Sequence, residues 1–189
     1  MSHTPTFLGI PFWVVGTGMG GVYCQAMNET RTFTVRPAGF ADVETIFGLI
    51  KDHPQELLAR PVSDIVQNVD RFLVCEGEGQ ILGTVSWAIL PEIGAALQPT
   101  VEIKSLAVRP GCMRCGIGRR LVGAAIEHVR LLAPSQIIVL TFTPEFFRKL
   151  GFREVPKASL MHKLYMGCIN CAKYDSPFTC PEVAMALTT

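Results

Sequence analysis

The chain has 189 residues, enough for one α/β domain of roughly 150 residues with an extension left over. Its 17 Lys and Arg against 16 Asp and Glu leave a net charge of +1, so the global basic field that would suit nucleic acid or a membrane surface is absent, and no apolar run reaches the 18 residues of a spanning helix. Seven cysteines without a convincing export signal point to a reducing, cytoplasmic setting, where thiols are metal ligands, redox groups or core residues.

Residues 1–30 read as an apolar, glycine-rich extension. Phe12 to Val15 followed by Gly16-Thr17-Gly18-Met19-Gly20-Gly21 matches the dinucleotide fingerprint Gly-x-Gly-x-x-Gly, but the glycines run into Val22-Tyr23-Cys24-Gln25 with no room for the helix that the fingerprint must open. We therefore expect no cofactor there, and a chain starting at Met27 would still read as a whole domain. Thr32 to Arg36 predicts a first strand. Asp42 is placed to cap a helix through Ile46, Leu49 and Ile50, and a weaker helix starts near Ser63-Asp64. Arg71 to Cys75 and Gln80 to Leu90, joined by Glu76-Gly77-Glu78-Gly79, predict an antiparallel hairpin, and Pro91 to Pro99 a loop.

Val101, Ile103, Ser105 and Ala107 alternate with Glu102, Lys104, Leu106 and Val108, a period of two that ends at Arg109-Pro110-Gly111. Gly116-Ile117-Gly118 then opens a helix to about Leu132, with Ile117, Leu121, Val122, Ala125, Ile126, Val129 and Leu132 on its apolar arc and His128 at the core edge. A strand, a glycine turn and a helix start make an anion site, because free N–H groups at the turn carry partial positive charge. Gln136 to Phe142 predicts a buried strand, and Pro144 to Leu150 a helix stopped by Gly151.

The turn resembles motif A of the GCN5-related N-acetyltransferase (GNAT) superfamily, Arg/Gln-x-x-Gly-x-Gly/Ala, with Met113 standing where the family usually has Arg or Gln. Phe146-Phe147-Arg148-Lys149-Leu150-Gly151-Phe152 resembles the aromatic helix that ends in Leu-Gly-Phe, and the resemblance covers about Thr32 to Lys163. It implies an α/β fold with a mixed, mostly antiparallel central sheet flanked by helices on both faces. The expected domain is residues 31–166, followed by a cysteine-containing tail at 167–189. It further implies acetyl-CoA as co-substrate, paired with the main chain at Leu106, Ala107 and Val108 and held at Arg114, Cys115, Gly116, Ile117, Gly118 and Arg119.

Three segments resemble the short amino-acid N-acetyltransferases related to N-acetylglutamate synthase. They are Leu57-Leu58-Ala59-Arg60, Glu102-Ile103-Lys104-Ser105-Leu106-Ala107-Val108, and the tail with His162-Lys163-Leu164-Tyr165, Cys168-Ile169-Asn170-Cys171 and Cys180-Pro181-Glu182-Val183-Ala184-Met185. This branch implies acetylation of an amino acid, with L-glutamate the first choice, as in the first step of arginine biosynthesis. Another amine, a protein N-terminus or a non-catalytic acetyl-CoA sensor are the other readings, and a homodimer stays open.

Moving an acetyl group from a thioester to an amine needs a neutral amine, a stabilised oxyanion and a departing thiolate. The main-chain N–H at Leu106 suits the oxyanion, and Glu102 suits the amine proton, although a glutamate on a half-buried strand serves equally as an ion-pair partner. Phe147 stands where many family members carry a proton-donating tyrosine, so solvent, Tyr165 or another hydroxyl is left to protonate the thiolate. Arg60 and Lys104 are the candidates for two substrate carboxylates. Cys168-x2-Cys171, with Cys180 and His162, has zinc-ligand spacing, and packed or redox thiols explain it as well. A second Cys-x2-Cys, Cys112 and Cys115, sits in the glycine turn.

Overall fold

The computed structural model describes residues 32–90, 99–169 and 171–188. The Gly16 to Gly21 motif and nearly all of the expected 91–99 loop lie outside these residues.

Seven strands form one sheet: β1 (Thr34–Pro37), β2 (Phe72–Gly77), β3 (Gln80–Leu90), β4 (Thr100–Val108), β5 (Gln136–Thr141), β6 (Arg153–Glu154) and β7 (Val183–Thr188). Their spatial order is β1-β2-β3-β4-β5-β7-β6. Every neighbouring pair is antiparallel except β4 with β5. The β2–β3 hairpin turns through Glu78 and Gly79, both at positive φ (54° and 72°), which is the two-residue turn that matches strand twist. The helices are α1 (Val43–Lys51), α2 (Val62–Gln67), α3 (Ile117–Arg130), α4 (Pro144–Arg148) and the short α5 (Met161–Lys163), which runs on into a wider turn at Leu164–Cys168.

Side-chain alternation sends successive strand residues to opposite faces. Leu73, Val85, Val101 and Ile103 pack with Ile117, Leu121, Val122, Ala125 and Val129 of α3 and with Phe147 and Phe152. Phe72 and Val74, one step out of phase, pack with Val43, Ile46 and Ile50 of α1 and Ile65 of α2. On that second face, further along the sheet, Ile138, Ala184 and Leu160 form a smaller cluster. The expected α/β architecture, with a mixed, mostly antiparallel sheet between helical layers, is what the chain builds.

Three local expectations change. Asp42 makes no side-chain cap on α1. Its carboxylate instead accepts from Arg36 Nη1 (2.7 Å) and Nη2 (3.1 Å) and from the Gly39 N–H (2.8 Å), because a guanidinium two-pronged bond outcompetes a helix N–H. His128 is exposed on α3 and packs at a tilt of 41° against Trp87, with ring centroids 4.8 Å apart. Residues 167–189, set apart above as a tail, contain β7, which lies between β5 and β6 in the sheet.

Candidate active site

The parallel pair β4–β5 holds register only over Thr100↔Gln136, Val101↔Ile137 and Glu102↔Ile138. Beyond Glu102 the two strands part, and a fork opens at their carboxyl ends, where ligands of open α/β sheets bind. A cleft of about 1430 Å³ fills it, lined by Glu102, Lys104, Leu106 and Val108 of β4, Leu140 and Thr141 of β5, the turn from Met113 to Gly116, and Gly118 to Arg120 of the following helix.

A bulge in β4 shapes the wall. Ser86 pairs with Lys104 and Thr84 with Ala107, so Ser105 and Leu106 together oppose Val85. Ser105 takes a left-handed φ of 53°, the strained residue that re-aims the strand. The Arg109 N–H donates to Leu82 (2.8 Å) on β3, so by alternation the main-chain groups of Val108 face away from β3. The Nε2–H of His53, from the turn after α1, donates to the Val108 carbonyl (2.8 Å).

The glycine turn ends in Gly116 at φ 80°, a conformation that a side chain strains, and α3 starts at the next residue. The first turn of α3 holds Arg119 and Arg120 and no carboxylate. Cations at a helix N-terminus oppose its dipole, so this end is built to receive an anion rather than to satisfy itself. A Cβ on Gly118 would stand 3.5 Å from the Phe146 ring and 3.9 Å from Val108 Cγ2, between the turn and the cleft wall. These features fit a coenzyme pyrophosphate cradled by main-chain donors. Arg114, Cys115, Gly116, Gly118 and Arg119 line the cleft. The side chains of Ala107 and Ile117 do not: strand and helix periodicity turns both into the core, 1% exposed each, so any contact there is main-chain only. Met113 is exposed at the rim.

The other side of the cleft is made of side chains. Arg60 donates from Nε to Asp64 (2.5 Å) and from Nη1 to Ser86 Oγ (3.0 Å) and Ser105 Oγ (3.1 Å), and its guanidinium lies 4.9 Å over the Phe72 ring. Its Nη2 makes no hydrogen bond among the described residues and is not buried, so with Nε and both Nη1 donors engaged it is the guanidinium nitrogen left for a ligand in the cleft that Arg60 lines. Burial pushes the Lys104 ammonium below the ordinary lysine range, with Lys163 and Arg60 adding to the fall and Glu102 opposing it. Glu102, 4% exposed, has both carboxylate oxygens on Lys163 Nζ, at 2.8 and 2.9 Å. For Lys163 burial alone would lower the pKa, yet the charge and hydrogen bond of Glu102 outweigh it, and the net direction is up. Glu182 also lines the cleft, and burial raises its carboxyl. Phe147 is buried against Phe146 and Phe152, with ring centroids 5.0 and 5.5 Å away, and offers no proton. Tyr165 is exposed and lies away from the cleft, whereas Tyr174 lines it.

The zinc expectation is corrected. Cys168, Cys171 and Cys180 line the cleft, but His162 does not. Among the described residues no three His, Cys, Asp or Glu side chains gather to hold a metal. The Cys180 thiol turns to Glu182 Oε2 (3.6 Å). Sequence reasoning passed over Lys163, Glu182, His53 and Ser105 as site residues. Lys163 and Glu182 lie inside the tail motifs already quoted, so the signal was present but was spent on their cysteine and histidine neighbours.

A family model for the acetyltransferase (GNAT) domain matches residues 68–154. An uncharacterized N-acetyltransferase of Chlorobaculum tepidum is 31% identical over 156 residues, covering 82% of this chain and 95% of that protein. An amino-acid acetyltransferase of Mycobacterium tuberculosis is 28% identical over 75% of this chain and 79% of its own length. In structure, the N-acetylglutamate synthase of Neisseria gonorrhoeae complexed with coenzyme A and N-acetyl-glutamate matches with a TM-score of 0.67 at 22% identity, over 83% of this chain and 35% of that one. The forked β4–β5 pair, the glycine turn and the near full-length relative agree: this chain belongs to the GNAT acetyltransferase family.

Proposed function

We propose that the protein transfers the acetyl group of acetyl-CoA to the α-amino group of an amino acid, and that the acceptor is L-glutamate. The observation that carries this is the cationic chamber at the fork, where Arg60 and the Lys104 ammonium line the cleft while the buried Glu102 is engaged by Lys163 and Asp64 by Arg60. An acceptor with two carboxylates supplies the counter-charge. The free Nη2 donors of Arg60 take one carboxylate and the Lys104 ammonium takes the other as a point charge. The names of the amino-acid acetyltransferase relative and of the N-acetylglutamate synthase neighbour support the same reading. The first step of arginine biosynthesis, in the cytoplasm, is the setting that follows from it.

In this reading the turn from Arg114 to Arg119 holds the coenzyme pyrophosphate with main-chain donors, and acetyl-CoA brings the thioester. The Leu106 N–H, placed by the bulge, donates to the oxyanion. Glu102 takes the amine proton, directly or through water; a carboxylate has about four acceptor positions, so the Lys163 ammonium orients it without exhausting it. Solvent protonates the thiolate, whose intrinsic pKa of about 8.5 makes a residue unnecessary.

The test is to incubate the protein with acetyl-CoA and a panel of amino acids and amines while following free thiol. Glutamate should be turned over fastest. A faster amine would remove the glutamate assignment and leave the acetyltransferase reading. Coenzyme binding without thiol release from any amine would favour a sensor.

A further inference from the structure

The acceptor chamber has a floor and two walls, all on the face of the sheet that carries α1 and α2. Glu102 and Lys104 are the floor. The turn and loop after α1, from His53 to Pro61, form one wall, and α5 with the following turn, carrying Lys163 and Cys168, forms the other. The walls belong to opposite sides of the fork. α1 packs against β3 and β4, while Leu160, at the start of α5, packs with Ile138 of β5 and Ala184 of β7.

One side chain joins them. Lys173 reaches from the segment after α5 to the turn after α1, and its Nζ donates to the carbonyls of Pro54 (2.7 Å), Gln55 (3.2 Å) and Leu57 (2.8 Å). An ammonium has three N–H donors, and here all three converge on one turn. At the other end of the same segment, Lys157 donates to the carbonyls of Pro177 (3.1 Å) and Cys180. Between these two anchors Tyr174 and Ser176 line the cleft, as do Cys171 just before them and Pro177 at the second anchor. Residues 171–182 are thus a strap, tied at Lys157 and by β7 on one side and at Lys173 on the other.

We propose that Lys173 is the latch of a strap that roofs the acceptor chamber and limits the acceptor to a free, small amino acid, excluding polypeptide N-termini. This rests on the acceptor lying over Glu102 and Lys104, as in the reading above, and it deepens that reading by naming the acceptor class. A peptide entering amine-first must run out of the chamber between the two walls, where the strap crosses. A free amino acid ends inside. Lys173 touches none of the reacting atoms in this arrangement. It is a specificity-determining residue acting through the strap.

The experiment compares the full chain and its Lys173→Met, Lys173→Gln and Lys173→Arg variants on free L-glutamate and on the dipeptide glutamyl-alanine, which carries the same amine. The wild type should prefer the free amino acid by about a hundredfold or more in kcat/KM. Lys173→Met should cut that preference at least tenfold, mostly through a gain on the dipeptide. Lys173→Gln, with two donors in place of three, should fall between, and Lys173→Arg should keep most of the preference. A protease cutting after aromatic residues should reach Tyr174 and Phe178 faster in Lys173→Met, a readout independent of turnover. A wild type that acetylates the dipeptide as well as the free amino acid overturns the inference. So does a Lys173→Met protein with wild-type preference and wild-type cleavage. If another free amino acid proves to be the acceptor, the glutamate assignment fails alone, and the same comparison is run with that amino acid and its dipeptide.

Discussion

On the side of the cleft from Leu106 to Arg120, where we place the coenzyme, the proposed contacts are main-chain donors in one short stretch, and the side chains around them, such as Met113, stand at the rim. On the acceptor side they are side chains drawn from Arg60, Ser86, Glu102 to Ser105 and Lys163, held by ion pairs and hydrogen bonds across the fold. The first half is a shape that any sequence with glycines at two positions and a helix behind them produces. The second depends on each residue keeping its partner. Substitutions should therefore be silent or fatal on the coenzyme side according to whether they touch the backbone path, and graded on the acceptor side according to the charge removed.

The largest expected effect is at Glu102. Glu102→Gln should lower turnover by roughly 10²–10⁴-fold, the usual worth of a positioned general base, with the loss easing at high pH as free amine accumulates. It also leaves the Lys163 ammonium buried without its partner, and breaking such a pair costs about 3–5 kcal/mol. The double variant Glu102→Gln with Lys163→Met separates the two consequences. Its melting temperature should recover while its turnover does not. Recovery of both would make the pair structural, the other role open to a glutamate on this strand.

Next comes the glycine turn. Gly116→Val forces a β-branched residue to φ 80°, a strain of about 1–3 kcal/mol. Gly118→Val meets only ordinary contacts at its Cβ, so the fold should tolerate it while its methyls enter the cleft. Calorimetry should show coenzyme affinity down about a hundredfold in both, and within about twofold of wild type in Met113→Ala. Full affinity in a folded Gly118→Val protein would move the pyrophosphate elsewhere.

The same contrast explains what could be read before the structure. The strand Thr100–Val108, the glycine turn and α3 are local, and their periodicity and punctuation are written into adjacent residues. Arg60 and Lys104, carried by short motifs, do reach the cleft. The Glu102–Lys163 pair joins residues 61 positions apart, and Lys173 reaches back 116 to 119 positions. No spacing rule announces such contacts. The cysteines show the opposite error: Cys168-x2-Cys171 has a local metal-ligand spacing, but a metal site needs convergence in space, and Cys180 turns to Glu182 instead. Asp42 likewise had the right position for a helix cap and was claimed by Arg36.

The smallest and most discriminating effects concern the two cations of the chamber. Arg60→Ala and Lys104→Ala should each raise the Michaelis constant for glutamate by about tenfold or more, if each removes a charge-assisted hydrogen bond of ~1.5–3 kcal/mol, with a lesser change in turnover. Lys104 then allows a finer test through pH. Burial holds its pKa below the ordinary lysine value of about 10.4, so its charge is lost at lower pH than that of a surface lysine. Affinity for a dicarboxylate acceptor should accordingly be full on the acid side of that lowered pKa and fall as pH rises through it. An arginine stays charged throughout this range. Lys104→Arg should therefore keep glutamate binding near wild type at neutral pH and flatten the alkaline rise of the Michaelis constant, leaving only the titration of the amine itself. If Lys104→Arg and wild type show the same alkaline rise, Lys104 does not hold a carboxylate, and Arg60 is left as the anchor on this side of the cleft.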